Sequence, residues 1–387
     1  MTQDLQQQII DWRRMFHRNP EVSNQEKQTK KTIAMELKKM GVEFSTFEHH
    51  FGLCAVIKGA YPGPVIAFRT DMDALPITEN NDVAYCSQNP GIMHACGHDG
   101  HMAVVLGLAQ AFMVARDTLA GTIKLIFQPA EENAPIGGSA QILASGVLDD
   151  VAAIFGVHVW PDLPSGEIGI RSGNLMAASD RLTIHLTGKA AHAGKPQQGI
   201  DTITMAANAI EGLGQIISRQ LDPLTTATLS IGTIHGGERY NVIASETVLE
   251  GTVRTLDEEV RQQIPKKIER LLAGMTAAQG GGYKLDYQFG YPVLRNWPEP
   301  THLIVQAAQE IIGTEAIHTD VRPDLTAEDF SRYVVNLPGA LFWLGCRKSQ
   351  GKHGGLHSSD FDMDEAALFK GMKVLYKTGL LALAYYK

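Results

Sequence analysis

The stretch Pro64-Val-Ile-Ala-Phe-Arg-Thr70 reads as a strand that stops on Asp71, and two later runs repeat the pattern. Thr122–Gln128 stops just before Glu131-Glu132, and Ala153–Val157 stops at His158. Between the first two lies His94-Ala-Cys96-Gly-His98-Asp99-Gly-His101. In open α/β sheets ligands sit beyond the carboxyl ends of the strands. These endings therefore gather thiolate, imidazole and carboxylate groups at one edge, a donor set that suits a zinc-like metal and metal-assisted hydrolysis.

Outward from that stretch, Asp4–His17 and Ser23–Met40 carry apolar residues at helical spacing, such as Leu5, Ile9, Trp12 and Phe16, with Asn19-Pro20 between them. Cys54–Lys58 reads as a further strand, Gly100–Arg116 as a long helix with Asp99 at its N-cap, and Ser139–Ser145 as another helix. This alternation implies an α/β fold with a largely parallel, doubly wound sheet. From about Arg181 the order becomes strand (Arg181–Thr187), helix (Asp201–Ser218), two strands (Ala227–Ile234, Thr247–Thr255), helix (Glu258–Gly274) and strand (Tyr283–Phe289). That is the ferredoxin-like β-α-β-β-α-β pattern. After Pro292 the alternation resumes, with helical Pro300–Ile312 and Ala327–Val334, strand Ala340–Gly345 and helix Glu365–Tyr386. The expected organisation is a catalytic domain in two pieces, 1–180 and 293–387, interrupted by an inserted domain over 181–292.

The 387 residues suit two domains, and 44% hydrophobic with 20% charged residues is ordinary for a globular protein. A net charge of −8 and the lack of a Lys/Arg block argue against nucleic acid as a partner. The polar start lacks a signal-peptide core, and no apolar run approaches the roughly 18 residues of a membrane span. Four irregularly spaced cysteines, Cys54, Cys86, Cys96 and Cys346, point to thiols in a reducing cytoplasm rather than a disulfide framework.

Each chemistry-bearing residue has a plain alternative. Cys96 and His98 flank a glycine before a helix, where a thiolate is electrostatically favoured and a metal lowers its pKa further; a structural cysteine beside a capping turn looks the same. Glu131-Glu132 would point to opposite sides in an extended segment. A bent turn instead aims one carboxylate at a metal and the other at a water, whereas an isolated acidic pair is more often a solvated loop. His158 at a strand end is equally a core histidine, Asp71 a strand-end cap, and His357, at the head of the final helix, a surface residue. In the insert, His192 sits among glycines and alanines that permit close approach to another surface, as for an oxyanion donor. Asn241 and Arg254 suit a substrate carboxylate. His17, His49, His50, His185, His235, His302, His318 and His353 carry no such context and default to structural or surface roles.

Five motifs occur in order: Arg69-Thr-Asp71-Met-Asp73-Ala-Leu-Pro-Ile, Met93-His-Ala-Cys96-Gly-His98-Asp-Gly-His, Phe127-Gln-Pro-Ala-Glu131-Glu132, Gly156-Val-His158-Val-Trp-Pro and Gly188-Lys-Ala-Ala-His192. Together they resemble the amidohydrolase branch of the aminoacylase/carboxypeptidase metallopeptidase family, over nearly the whole chain. The resemblance implies that Cys96, His98, Glu132, His158 and His357 hold two divalent ions (zinc, manganese, nickel or cobalt), with Cys96 bridging. It implies Glu131 as general base and acid, and Asp71 orienting the site from behind. It also implies that the insert is a lid and dimerisation domain through which His192 serves the other subunit of a homodimer. Asn241 matches a family asparagine near the substrate. Thr70 replaces the usual Ala, Gly194-Lys195 follows His192 where small or apolar residues are commoner, and Ala244 stands where the family often has Pro; no ligand is lost.

The expected activity is hydrolysis of an N-acyl amino acid to a carboxylic acid and a free amino acid. Two rivals remain open at this point: a dipeptidase or carboxypeptidase with the same metals, and a metal-binding module without turnover. A base beside the ligands speaks against the second.

Overall fold

The computed structural model describes residues 3–349 and 354–387; His353 lies outside them. In chain order the elements are α1 (Gln3–Arg18), α2 (Lys27–Lys39), β1 (Glu43–Thr46), β2 (Leu53–Lys58), β3 (Tyr61–Asp71), α3 (His98–Ala115), β4 (Ala120–Gln128), α4 (Ser139–Ala144), β5 (Val151–Pro164), β6 (Ile168–Gly169) and β7 (Gly173–Met176). There follow β8 (Ala178–Thr187), α5 (Thr202–Gln220), β9 (Ala227–Gly236), β10 (Glu246–Thr255), α6 (Glu258–Gln279), β11 (Gly282–Tyr291), β12 (Leu294–Asn296), α7 (Pro298–Ile312), β13 (Ile317–His318), β14 (Gly339–Arg347) and α8 (Ala366–Tyr385). The chain divides into two compact units, one from Met1–Leu175, Arg295–Arg322 and Asp329–Lys387, the other from Met176–Leu294 and Pro323–Glu328.

The first unit carries an eight-stranded sheet in the order β1-β2-β4-β3-β5-β14-β6-β13. Its centre, β4-β3-β5-β14, is parallel. Its flanks are not: β1 and β2 form an antiparallel pair, β2 runs antiparallel to β4, and β6 antiparallel to β14. The sheet is thus mixed where the alternation predicts a largely parallel one. The reason is local, because the few residues between β1 and β2 can close a hairpin but not the crossover that parallel neighbours need.

α3 is apolar on every side and buried along most of its length, as a helix in the middle of a core must be. Phe112 on α3 meets Phe68 of β3, which in turn meets Phe155 of β5. α1 presents Leu5, Ile9, Trp12 and Phe16 to this core, so the helical spacing read from the sequence is its buried stripe. The helix start departs from expectation. Gly97, at φ 83°, is the N-cap of α3, and Asp99 lies inside the first turn. Its carboxylate is taken by buried partners instead, Arg13 Nε at 2.8 Å and His17 Nδ1 at 2.7 Å. Ala327–Val334, read as helical, is a 3-10 helix over Asp329–Val335.

The second unit has an antiparallel sheet in the order β11-β8-β10-β9, with α5 and α6 packed on it. Alternate residues of β8, Leu182, Ile184 and Leu186, join Met205, Ala209 and Leu213 of α5 and Ile264, Ile268 and Leu272 of α6 in one core. That alternation is the period-2 signature of a strand with one covered face.

Candidate metal centre

Because β3, β4 and β5 are parallel and in register, their carboxyl ends share one edge: Asp71 pairs with Gln128, and Arg69 with Gly156. The loops leaving that edge bring the donors together. Cys96 Sγ lies 3.5 Å from His158 Nε2 and 3.3 Å from His357 Nε2. His357 Nε2 lies 3.2 Å from Glu132 Oε1, and His98 Nε2 lies 3.9 Å from the same oxygen. The donor atoms of Cys96, His98 and His158 fall within 4.8 Å of one another, as do those of Cys96, Glu132 and His357, and those of His98, Glu131 and Glu132. Cys96 is shared by the first two sets. His357 sits in a turn between β14 and α8, some way before the head of α8, with φ 63°. Its backbone N–H donates to the Ala95 carbonyl at 2.8 Å, which ties that turn to the Cys96 segment.

The imidazoles are oriented from behind. His98 Nδ1–H donates to the Asp73 carbonyl at 2.8 Å, and His158 Nδ1–H donates to the Val159 carbonyl at 2.7 Å. Both bonds tie up Nδ1 and aim Nε2 at the cluster, the orientation a metal-ligating histidine needs. His101, which the sequence marks only as one of three neighbouring histidines, donates from Nδ1 to Asp71 Oδ1 at 2.7 Å and accepts at Nε2 from Val159 N–H at 2.9 Å. It links Asp71 to the strand that carries His158. Arg69 donates to Asp71 Oδ2, to Asp329 Oδ1 and to Gln128 Oε1, and Asp329 also accepts from the Ser139 N–H. His94 is buried and belongs to none of the donor sets found among the described residues.

The electrostatics ask for a cation. Burial, then Glu132, Glu131 and Asp71, push the Cys96 thiol well above its ordinary value. Against burial, Asp71, Asp73 and Glu132 carry His98 up to about 10. Asp71, despite its burial, is held well below the usual carboxylate range by His98, His101 and Arg69. Burial keeps His158 and His101 neutral, the form in which a ring nitrogen accepts or ligates. Neither His98 Nε2 nor Glu132 Oε1 makes a hydrogen bond, although both are buried. A site with this surplus of donor charge, and with bare buried nitrogen and oxygen atoms, fits divalent metal, which would replace the protons on Cys96 and His98.

Glu131 and Glu132 leave β4 through a turn. Ala130 adopts φ 56°, and Asp73 accepts from both following amides, Glu131 N–H to Oδ1 at 3.0 Å and Glu132 N–H to Oδ2 at 2.9 Å. The two carboxylates then diverge. Glu132 faces His357 and His98, while Glu131 Oε1 accepts from the Asp329 N–H at 3.3 Å. Asp73, Gln128 and Asp329 are supports that the sequence reading did not assign. Asp73 stands in a quoted motif, but Asp329 has no local signal at all.

In the second unit, His192 is exposed and its Nδ1 accepts from the Gly194 N–H at 3.0 Å, which leaves Nε2 as the N–H donor. The Asn241 carbonyl accepts from Ala193 N–H, and His192 bridges to Val242, so the two segments are neighbours. The buried Asn241 Oδ1 makes no hydrogen bond. Arg254 lies on β10, opposite Ser179 of β8 and Thr228 of β9.

Comparison with known proteins adds four findings. A family model described as peptidase family M20/M25/M40 matches residues 67–380. The N-acyl-L-amino acid amidohydrolase of Geobacillus stearothermophilus is 40% identical over 304 residues, 78% of this chain and 82% of that protein. Thermostable carboxypeptidase 2 of Saccharolobus solfataricus is 38% identical, over 95% of this chain and 93% of that protein. Among solved structures, the Bacillus subtilis YXEP protein, a dinuclear metal-binding peptidase of the M20 family, matches with a TM-score of 0.87 and 34% identity over 99% of each chain.

Proposed function

Since the chain belongs to peptidase family M20/M25/M40 and is a metal-dependent hydrolase, we propose that it cleaves the amide bond of N-acyl amino acids. The products are a carboxylic acid and a free amino acid. The observation that carries this reading is the meeting of Cys96, His98, Glu132, His158 and His357 beside a further carboxylate, Glu131. Those five residues would hold two divalent ions, zinc, manganese, nickel or cobalt, with Cys96 the donor common to two of the sets. Bound there, the ions supply Lewis acidity to the amide carbonyl and to the attacking water.

The remaining chemistry belongs to the chain. Glu131 takes the proton from the water and returns it to the departing amine, one group serving as base and then acid. Its backbone and carboxylate are held by Asp73 and the Asp329 N–H, so the proton acceptor is aimed before substrate arrives. Asp71 fixes His101 and Arg69 behind the site. The insert over 181–292, which makes up most of the second unit, serves as a ferredoxin-like lid and dimerisation domain. Two observations support this: β9 is an edge strand with Ile234 exposed, and the Nε2–H of His192 is presented outward. In the homodimer His192 donates to the developing oxyanion in the other subunit, a contribution worth about 10²–10³ in turnover. Asn241 and Arg254 receive the substrate carboxylate. Four free cysteines support a cytoplasmic location; no helix among the described residues is long and apolar enough to cross a membrane.

The test is a panel of N-acetyl amino acids, N-benzoyl amino acids and dipeptides, assayed with Mn²⁺ or Zn²⁺ and with chelator. Acyl amino acids turn over, chelator abolishes the activity, and Glu131→Ala lowers kcat by about 10²–10⁴. Exclusive cleavage of dipeptides would move the assignment to a peptidase, and full activity of Glu131→Ala would refute the mechanism.

A further inference from the structure

The turn that aims Glu131 and Glu132 is held by a residue 104 positions earlier in the chain. Ala130 adopts φ 56°, a left-handed conformation that few residues with a Cβ enter without being held there. Its N–H donates to Glu26 Oε1 at 2.8 Å. Together with the two Asp73 oxygens, this puts three successive amides, 130, 131 and 132, on two buried carboxyl groups.

Glu26 is not placed there to start its own helix. It occupies the N-cap of α2, yet its side chain makes no capping bond. The first amides of α2 go to Glu21 instead, Gln28 N–H to Oε1 at 3.1 Å and Thr29 N–H to Oε2 at 2.8 Å. Relieved of capping, the Glu26 side chain turns inward and is fully buried. Oε1 also accepts from the Asn24 N–H at 3.0 Å, while Oε2 makes no hydrogen bond. Burial, then the nearby Asp73 carboxylate, push the group up to about 7. A buried carboxyl with one oxygen that makes no hydrogen bond is a costly arrangement. What it secures is the Ala130 amide. The same loop adds Ser23, whose hydroxyl donates to Asp73 Oδ2 at 2.6 Å.

We propose that Glu26 is a positioning residue: by accepting the Ala130 N–H it holds the left-handed kink that sends Glu131 and Glu132 to different partners. This rests on the reading of Glu131 as base and Glu132 as metal ligand.

The experiment compares Glu26→Ala, Glu26→Gln and the double variant Glu26→Ala with Ala130→Gly. It measures kcat and KM at saturating Mn²⁺, Mn²⁺ affinity by chelator competition, and Tm. Glu26→Ala lowers kcat by about 10- to 100-fold with KM little changed, as for a displaced catalytic group, and weakens Mn²⁺ binding. Glu26→Gln keeps an acceptor at Oε1 and stays within several-fold of wild type. Glycine enters φ > 0 freely, so Ala130→Gly restores much of the lost kcat in the double variant without restoring Tm. Wild-type kcat and Mn²⁺ affinity in Glu26→Ala would overturn the proposal. So would a loss that tracks only the folded fraction and that neither Gln nor the added Gly repairs. Glu131→Ala separates the two levels. If it is inactive while Glu26→Ala is unimpaired, only this inference fails; if it is active, the reading beneath it fails.

Discussion

Cys96 shows how much one residue carries. Its sulfur is shared between two donor sets, and the thiol follows a loop that Gly97 turns into α3 at φ 83°. The signal was legible as ligand chemistry, a cysteine two positions from a histidine before a helix, although burial and the nearby carboxylates hold the sulfur as a thiol until a cation binds. Its partners carried no local signal of meeting it, and only the family resemblance named them together. His357 is 261 positions away and reaches Cys96 because its turn is tied to the Ala95 carbonyl. Asp99 was misread for the converse reason: a capping residue type at a helix start was claimed by the buried guanidinium of Arg13. Replacing Cys96 by Ala removes the shared donor, and metal content measured on the purified protein falls below two ions per chain. Affinity drops more than the roughly 10²-fold that loss of a supporting contact causes. Two tightly held ions in Cys96→Ala would show that the sulfur does not bridge.

At the scale of elements, the apolar periodicities located the helices and strands, and side-chain caps mark the starts of α5 and α6. α5 begins at Asp201, whose Oδ1 accepts from the Ile203 N–H at 3.0 Å. Asp201→Ala leaves that donor unpaired and costs the second unit about 1 kcal/mol, seen as a Tm lower by a few degrees with metal binding in the first unit unchanged. An unaltered Tm would mean that water caps α5 equally well. The mixed sheet marks where element-level reading stopped. Whether β2 lies parallel or antiparallel to β4 depends on which neighbour it finds, and a single strand carries no record of that choice. The parallel centre was the better-determined part, since long connections through helices fix its sense.

Over the whole molecule, a buried charge network joins the two ends of the chain. Arg13 of α1 donates to Asp99, to Asp362 and to Glu365 ahead of α8. Against its burial, Arg13 and Lys348 hold the Asp362 carboxyl below its ordinary value. A carboxyl depressed in the folded state stabilises fully above its unfolded value near 3.9, and that contribution is lost as pH falls through and below it. The Tm gap between wild type and Asp362→Asn is therefore widest above about pH 5 and narrows toward pH 3; a gap constant across that range would remove Asp362 from the acid response. The proposed dimer makes a prediction at the same scale. Mixed His192→Ala and Glu131→Ala chains form hybrid dimers with one intact pairing, and some activity returns; confirmed hybrids without activity would put both groups in one subunit. By itself the sequence determined the donor types, the strand endings they follow and the helices that position them, because periodicity and turn chemistry act over a few neighbouring residues. Only the tertiary structure showed that Asp329 and Glu26 grip the Glu131-Glu132 turn, and it supplied the contact through which His357 meets Cys96, a pairing that family resemblance alone had suggested. Contacts across hundreds of positions follow from how strands order themselves and how buried charges find partners, and neither leaves a local pattern in the chain.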